Sequence, residues 1–182
     1  MAVLKIVIEP DPVLHVRCTP VTRVTRATQR LIADMIETMR HAAGLGLAAP
    51  QVGVTQRLFV YDDDGTARAL INPEIVAASE AMEVATEGCL SIPRLHGDVP
   101  RHQSVEVTGL NAAGRPVRIR AEGLLARVFQ HEIDHLNGIL FTARAIPDTL
   151  HWITEEEEEE RLRYGRARHG VVTPEKEAAA RP

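Results

Sequence analysis

The run His131-Glu132-Ile133-Asp134-His135 has the residue types and spacing of a metal-dependent hydrolase. On a helix its two histidines lie one turn apart, so that both imidazoles can bind the same metal ion. Glu132, between them, could act as a general base beside the ion. The alternative for this pattern alone is a pair of ordinary surface or packed histidines.

A catalytic metal usually has three protein ligands and one position for water, so a third ligand is needed from elsewhere in the chain. Of the two cysteines, Cys89 lies in TEGCLSIP, residues 86–93, whose Gly and Pro indicate an irregular strand end able to turn a thiolate toward the helix. Cys18 lacks such surroundings. A buried, unreactive thiol is the commoner role of a cysteine, and we expect that role for Cys18 and a ligand role for Cys89.

Two helices are predicted from apolar residues that recur every three or four positions. The first runs from about Thr25 to His41 and is followed by the loop GLGLAAPQVG, residues 44–53. The second runs from Gly123 to Leu136, carries both histidines and ends at Asn137-Gly138. Since Leu124 and Val128 share the stripe of the histidines, the ligands should face the interior.

Short alternating segments predict two hairpins. One pairs residues 57–61 with 68–71 around a turn at 62–65, and the other pairs 104–110 with 115–121 around a turn at 111–114. We therefore predict an α+β domain in which antiparallel strands pack around the central, metal-binding helix. Residues 1–146 would form the catalytic part, and residues 147–182 would add a helix over 147–168 and a frayed tail from 171 to the same single domain.

Composition narrows the functional class. The 182 residues are 45% apolar and 3% aromatic, with a formal net charge of −4. The acidic run Glu155–Glu160 is followed directly by arginines, typical of a solvated helix surface, and no basic stripe indicates nucleic-acid binding. No apolar run of about 18 residues occurs, and the start MAVLKIVIEPDP does not continue as a signal peptide would. We therefore expect a cytoplasmic protein without membrane association.

Three segments occur in a specific order: GLGLAAPQ at residues 44–51, EGCLS at 87–91 and HEIDH at 131–135. Together they resemble the signature motifs of the bacterial-type peptide deformylases, and the resemblance extends from the N-terminus to about Phe141. It implies an α+β fold and removal of the formyl group from the N-terminal formyl-methionine of newly made proteins, with release of formate.

The resemblance also implies residue roles. Cys89, His131 and His135 would bind one divalent metal ion per chain, Fe²⁺ in cells, which Zn²⁺, Ni²⁺ or Co²⁺ can replace in the purified protein. Glu132 would be the base, and Gln51 with the backbone N–H of Leu90 would stabilise the oxyanion. Formylmethionyl peptides would be the substrate, the ribosome a partner near the nascent chain, and the protein a monomer. The implied substrate-binding residues are Leu45, Gly46, Glu87, Gly88 and Leu124.

Some residues and functions stay open at this point. His96 and Arg127 are less typical of the family and are expected to alter the pocket rim, whereas Asp134 is expected to pair with Arg101. The alternative functions are hydrolysis of another N-acyl group, cleavage of internal peptide bonds, or a metal-stabilised binding protein that docks at a ribosome without turnover. Glu132 and Gln51 argue against the last, because a purely structural metal needs neither a base nor an oxyanion donor.

Overall fold

The helix predicted near residue 25 is present as α1, Arg26–His41, in the computed structural model, which describes residues 1–169. Thr25 caps it: its hydroxyl accepts a hydrogen bond from the Thr28 backbone N–H at 3.3 Å. The apolar stripe predicted from the spacing, including Ile32, Met35 and Met39, is buried against the sheet.

The second predicted helix is present as α2, Gly123–Leu136, and lies at the centre of the molecule. Phe129 and Leu136 are fully buried in the main core cluster. The helix ends where predicted. Gly138 follows with a φ of +74°, and a Cβ at this position would lie 2.5 Å from the His15 carbonyl oxygen. Only glycine fits this end of the helix.

Both predicted hairpins belong to one antiparallel sheet of five strands in the order β1-β2-β3-β6-β7. Among residues 1–169, β1 pairs with β2 alone and is an edge strand, with Gly46 opposite Tyr61. The strands are β1, Gly46–Ala48; β2, Leu58–Asp63; β3, Thr66–Ala78; β6, Ser104–Leu110; and β7, Pro116–Glu122. The predicted α+β fold, with antiparallel strands around α2, is confirmed.

A second sheet was not predicted. It contains β4, Met82–Cys89; β5, Ile92–His102; and β8, His151–Trp152, in the order β4-β5-β8. The register of β4 against β5 is irregular between Gly88 and Cys89. A register shift of this kind redirects side chains, and here it occurs at the cysteine that was predicted to turn toward α2.

The predicted helix over residues 147–168 is shorter than expected. Only α3, Glu155–Arg168, is α-helical, whereas a 3₁₀ turn at Pro147–Thr149 and strand β8 come before it. Thr154 caps α3, with its hydroxyl accepting from the Glu157 backbone N–H at 3.2 Å. The predicted frayed tail from residue 171 lies outside the described residues. Within residues 1–169, no helix has the length and hydropathy required to cross a membrane.

Candidate metal centre and active site

Cys89, His131 and His135 meet at one point. Their candidate ligand atoms all lie within 4.8 Å of one another. The two histidines are one turn apart on α2, and Cys89 reaches them from the end of β4, where its Sγ lies 3.2 Å from His135 Nε2. The structure thus assembles the three residues that the sequence singled out.

The donor set fits a divalent metal ion. One thiolate and two imidazoles form the kind of three-ligand set that leaves a position for water or substrate. His131 directs its Nδ1 to Glu87 Oε2 at 2.9 Å, which leaves Nε2 for a metal. Among the described residues, Glu132 Oε2 is a buried oxygen without a hydrogen-bond partner. Such an atom next to the ligands is suited to a water molecule or substrate amide that the centre would hold.

Glu87 lies at the centre of a largely buried network of ion pairs that we call the Glu87 cluster. Its members are Glu87, Arg101, Arg127, Asp134 and Arg144. The Glu87 carboxylate accepts hydrogen bonds from Arg101 Nε and Nη2, both at 3.0 Å, and from Arg127 Nη1 at 2.8 Å. Burial alone would raise the pKa of Glu87, but the hydrogen bonds from His131 and Arg101 lower it to about 2. Glu87 is therefore ionised and holds the His131 ring in place.

The expected pairing of Asp134 with Arg101 is confirmed. Arg101 Nη1 donates to Asp134 Oδ2 at 2.5 Å, and the Asp134 side chain is 7% exposed. Arg144 donates to the other side of the same carboxylate, with Nη2 at 2.6 Å from Oδ1. Because Arg101 binds Glu87 and Asp134 together, it connects β5 to both β4 and the metal-binding turn of α2.

Arg127 lines the pocket, as does His96, but it is not an exposed rim residue. Its side chain is 9% exposed, and besides Glu87 it donates to the backbone carbonyls of Val99 and Glu83, each at 2.8 Å. It therefore connects α2 to the β4-β5 hairpin at the pocket wall. His96 does border the pocket, and a Cβ on Gly88 would lie 2.8 Å from its ring, so the two residues fit only because Gly88 has no side chain.

Glu132 faces the metal-binding residues from the interior of the protein. It is 4% exposed, and burial raises the pKa of its carboxyl to about 7. Gly46 packs directly against it: a Cβ at residue 46 would lie 2.3 Å from Glu132 Oε1. The glycine of the first motif thus provides the space that Glu132, the predicted base of the third motif, occupies.

Gln51 approaches the centre with its amide orientation fixed. Its Oε1 accepts from the Ala48 backbone N–H at 2.8 Å, so its Nε2 points to Ser91 Oγ at 3.2 Å and Cys89 Sγ at 3.6 Å. Leu90 lies next to Cys89 in the turn between β4 and β5. The predicted oxyanion donors therefore stand beside the predicted ligands.

A cavity of about 580 Å³ opens onto this centre. The five predicted substrate-binding residues line it, together with Cys89, His131, Glu132 and Gln51, whereas His135 lies behind them and does not line it. Leu124 is 56% exposed and available for contact, whereas the Glu87 carboxylate is engaged by Arg101, Arg127 and His131. Sequence analysis did not predict that α3 lines the cavity as well, through Arg161, Leu162 and Gly165.

Cys18 lies apart from this centre. It is 4% exposed in the main core cluster, and burial raises the pKa of its thiol to about 11. A protonated thiol in the core is a poor nucleophile and a poor ligand. Its expected role as an unreactive core residue agrees with this position.

The chain is similar to known proteins over most of its length. The family model for polypeptide deformylase matches residues 3–150. A peptide deformylase of Symbiobacterium thermophilum is 50% identical over 181 residues, covering 98% of this chain and 80% of the relative. One of Halothermothrix orenii is 53% identical over 149 residues, covering 80% of this chain and 96% of the relative.

Solved structures show the same similarity. The crystal structure of the peptide deformylase from Thermotoga maritima aligns with a TM-score of 0.79 and 46% identity, covering 81% of this chain and all of that one. That from Synechococcus elongatus, in complex with actinonin, aligns with a TM-score of 0.76 and 39% identity, covering 98% of this chain and 90% of that one.

Proposed function

This chain belongs to the peptide deformylase family and is a hydrolase that removes the formyl group from the N-terminus of newly made proteins, and we propose that the residues assembled around Cys89 carry out this reaction. The observation that carries the proposal is the convergence of three candidate ligands at a cavity that Cys89, His131 and the buried carboxyl of Glu132 line.

Cys89, His131 and His135 would hold one divalent metal ion per chain. Such an ion supplies Lewis acidity, which lowers the pKa of water and polarises a carbonyl oxygen. We propose Fe²⁺ as the ion in cells, and Zn²⁺, Ni²⁺ or Co²⁺ as ions that a Cys-His-His site accepts after purification. The hydrogen bond from His131 Nδ1 to Glu87 would keep Nε2 directed at the ion.

Glu132 would transfer the proton. With a pKa of about 7, raised by burial, its carboxyl can both accept a proton from the attacking water and donate one to the departing amine near neutral pH. Contact with Gly46 confines the side chain, and its Oε2 has no protein partner among the described residues. The carboxyl is thus free to serve the substrate.

Gln51 and Leu90 would stabilise the oxygen of the formyl group as it gains negative charge. The Gln51 amide is oriented in advance by the Ala48 backbone N–H, so no reorganisation is needed during the reaction. The Leu90 backbone N–H would be the second donor. Loss of one such donor typically lowers the rate by about 100-fold or more.

The substrate would lie in the cavity as an extended peptide. β1 is an edge strand, and its first residue, Gly46, lines the cavity. An extended peptide can add to such an edge through backbone hydrogen bonds. Leu45, Gly88 and Leu124 would contact the methionine side chain, whereas Glu87 would act through its backbone and through His131 rather than through its engaged carboxylate.

The setting of the reaction follows from the same proposal. Formylmethionyl peptides emerge from the ribosome, so we propose a cytoplasmic enzyme that works near the nascent chain and acts as a monomer. The charged helix α3 would belong to the same single domain as residues 1–146.

A Glu132→Gln substitution tests the proposal. The metal-loaded variant should bind zinc as wild type does but release formate from formyl-Met-Ala about 100- to 10,000-fold more slowly, because the proton carrier is lost. Formate release and metal content are measured on the same preparations, with Arg163→Ala, an exposed change on α3, as the control. Full turnover by the variant, or faster release of acetate from acetyl-Met-Ala by wild type, would contradict the assignment.

A further inference from the structure

Helix α3 closes one side of the catalytic cavity. Three of its residues and His169, which follows the helix, line the cavity that Cys89, His131 and Glu132 also line; the three are Arg161, Leu162 and Gly165. A peptide that enters the cavity therefore passes close to α3.

The helix is held at the end of α1 by close packing. A Cβ on Gly165 would lie 2.4 Å from the Ala43 Cβ, so α3 approaches this closely only because residue 165 is glycine. Arg166 Nε also donates to the His41 backbone carbonyl at 2.9 Å. These contacts fix the position of α3 but lie outside the metal centre.

His169 forms the most deeply buried contact of this segment. Its side chain is 1% exposed, its Nε2 lies 2.9 Å from the Gly44 carbonyl oxygen, and its Nδ1 lies 3.9 Å from Asp62 Oδ1. The ring is thus inserted between the segment that leads into β1 and the end of β2. Its bond to the Gly44 carbonyl is direct.

The Gly44 carbonyl lies on the path that an extended peptide would take. The Leu45 carbonyl accepts from the Asp62 backbone N–H at 2.9 Å and so faces β2. Since backbone groups alternate in direction along a strand, Gly46 faces the open edge instead. Gly46 contacts Glu132, and Gly44, two residues before it, lines the same cavity and directs its carbonyl at His169.

We infer that α3 is a cover, fastened by His169, that determines which lengths of peptide the enzyme accepts. The inference rests on the proposed deformylation. Each extended residue advances about 3.3 Å, so Gly44 lies about 6.6 Å beyond Gly46, whereas the last backbone N–H of formyl-Met-Ala lies about one residue beyond the formyl group and falls short of the Gly44 carbonyl. A longer peptide reaches Gly44 and competes with His169 for the carbonyl, so α3 must lift before such a peptide can bind fully.

The test uses two full-length variants and two substrates. His169→Ala removes the fastening, and Gly165→Leu forces α3 away from Ala43, whereas Arg163→Ala changes an exposed side chain of the same helix and is the control. For formyl-Met-Ala-Ser-Leu-Ala-Ser, kcat/KM should rise about two- to tenfold in both variants, the effect of one competing hydrogen bond. For formyl-Met-Ala it should remain unchanged. Equal changes for both peptides, or none, would overturn the inference.

Amide hydrogen exchange tests whether a bound peptide displaces α3, and it does not depend on catalytic activity. Adding the product Met-Ala-Ser-Leu-Ala-Ser to the zinc-loaded enzyme should speed exchange over residues 155–169, and adding Met-Ala should not. Unchanged or slower exchange in α3 at saturating long peptide would refute the cover. An absence of formate release from both formyl peptides would instead refute the proposed function, while the exchange result still decides the role of α3.

Discussion

Charged residues occur in two very different settings in this molecule. In the Glu87 cluster they are scattered along the sequence and come together in the interior, where Glu87 and Arg101 have side chains 5% and 4% exposed. In α3 they are contiguous, from Glu155 to Glu160, and mostly exposed. The contiguous run is conspicuous in the sequence, but the scattered residues hold the metal-binding turn of α2 in place.

The difference between the settings is energetic. Exposed ion pairs contribute little to stability, because water and salt screen them. A buried carboxylate among guanidinium groups is costly to disturb, because removal of one charge leaves the others buried and uncompensated. The two regions should therefore respond very differently to the same chemical change.

The largest effect is expected for Glu87→Gln. Neutralising this carboxylate leaves Arg101 and Arg127 without their shared partner, so the free energy of unfolding should fall by about 3–5 kcal/mol. Affinity for zinc should fall about 10- to 100-fold, because His131 loses its orienting partner. Urea unfolding and chelator competition measure the two quantities. Glu159→Gln, the same change on the exposed surface of α3, should leave both unaltered, and equal effects at the two sites would remove the distinction.

A second effect is expected in acid. The folded-state pKa of Glu87, about 2, is below the ordinary value of 4.5. Its contribution to stability is therefore present above about pH 4.5 and is lost as the pH falls toward 2. Wild type should lose more stability over this range than Glu87→Gln, as measured by urea unfolding of the metal-free proteins. Parallel pH profiles would show that the network does not stabilise the folded state through this carboxylate.

A smaller effect is expected at the margin of the cluster. Arg144 is 44% exposed in its side chain, and Asp134 retains Arg101 when Arg144 is removed. Arg144→Ala should therefore lower the free energy of unfolding by only about 1 kcal/mol, since solvent already screens the pair. Urea unfolding of the Arg144→Ala and Glu87→Gln variants, under the same conditions, compares the two losses of free energy of unfolding. A loss as large as that of Glu87→Gln would show that Arg144 stabilises the fold as strongly as the buried members of the network do.

The periodicity of apolar residues was sufficient to predict the helices and strands that have one buried face and one exposed face. α1 and α2 show the three- and four-residue spacing of such helices, and the hairpin β6-β7 shows alternation. The β4-β5 hairpin was missed because most of β4 is exposed on both faces, so its sequence contains no buried stripe. β8 pairs only through Leu95 and His96, and a contact of this length leaves no pattern.

The candidate site was predictable where its residues are close in sequence or belong to a motif. His131, Glu132 and His135 lie within one helical turn, and Cys89 and Gln51 were found through the order of the three motifs. The partners of Glu87 could not be found in this way. Arg101 and Arg127 are isolated charged residues whose contact depends on how β5 and α2 pack.

The close packing of Gly46 against Glu132 limits which resistance mutations can arise against an inhibitor of this enzyme. Any side chain at residue 46 would occupy the position of the Glu132 carboxylate, so a substitution there would displace the proposed base without changing residue 132 itself. An inhibitor that binds against the Gly46 backbone would thus contact a residue that the enzyme cannot substitute without losing activity. Resistance to such a compound would have to arise elsewhere on the cavity wall.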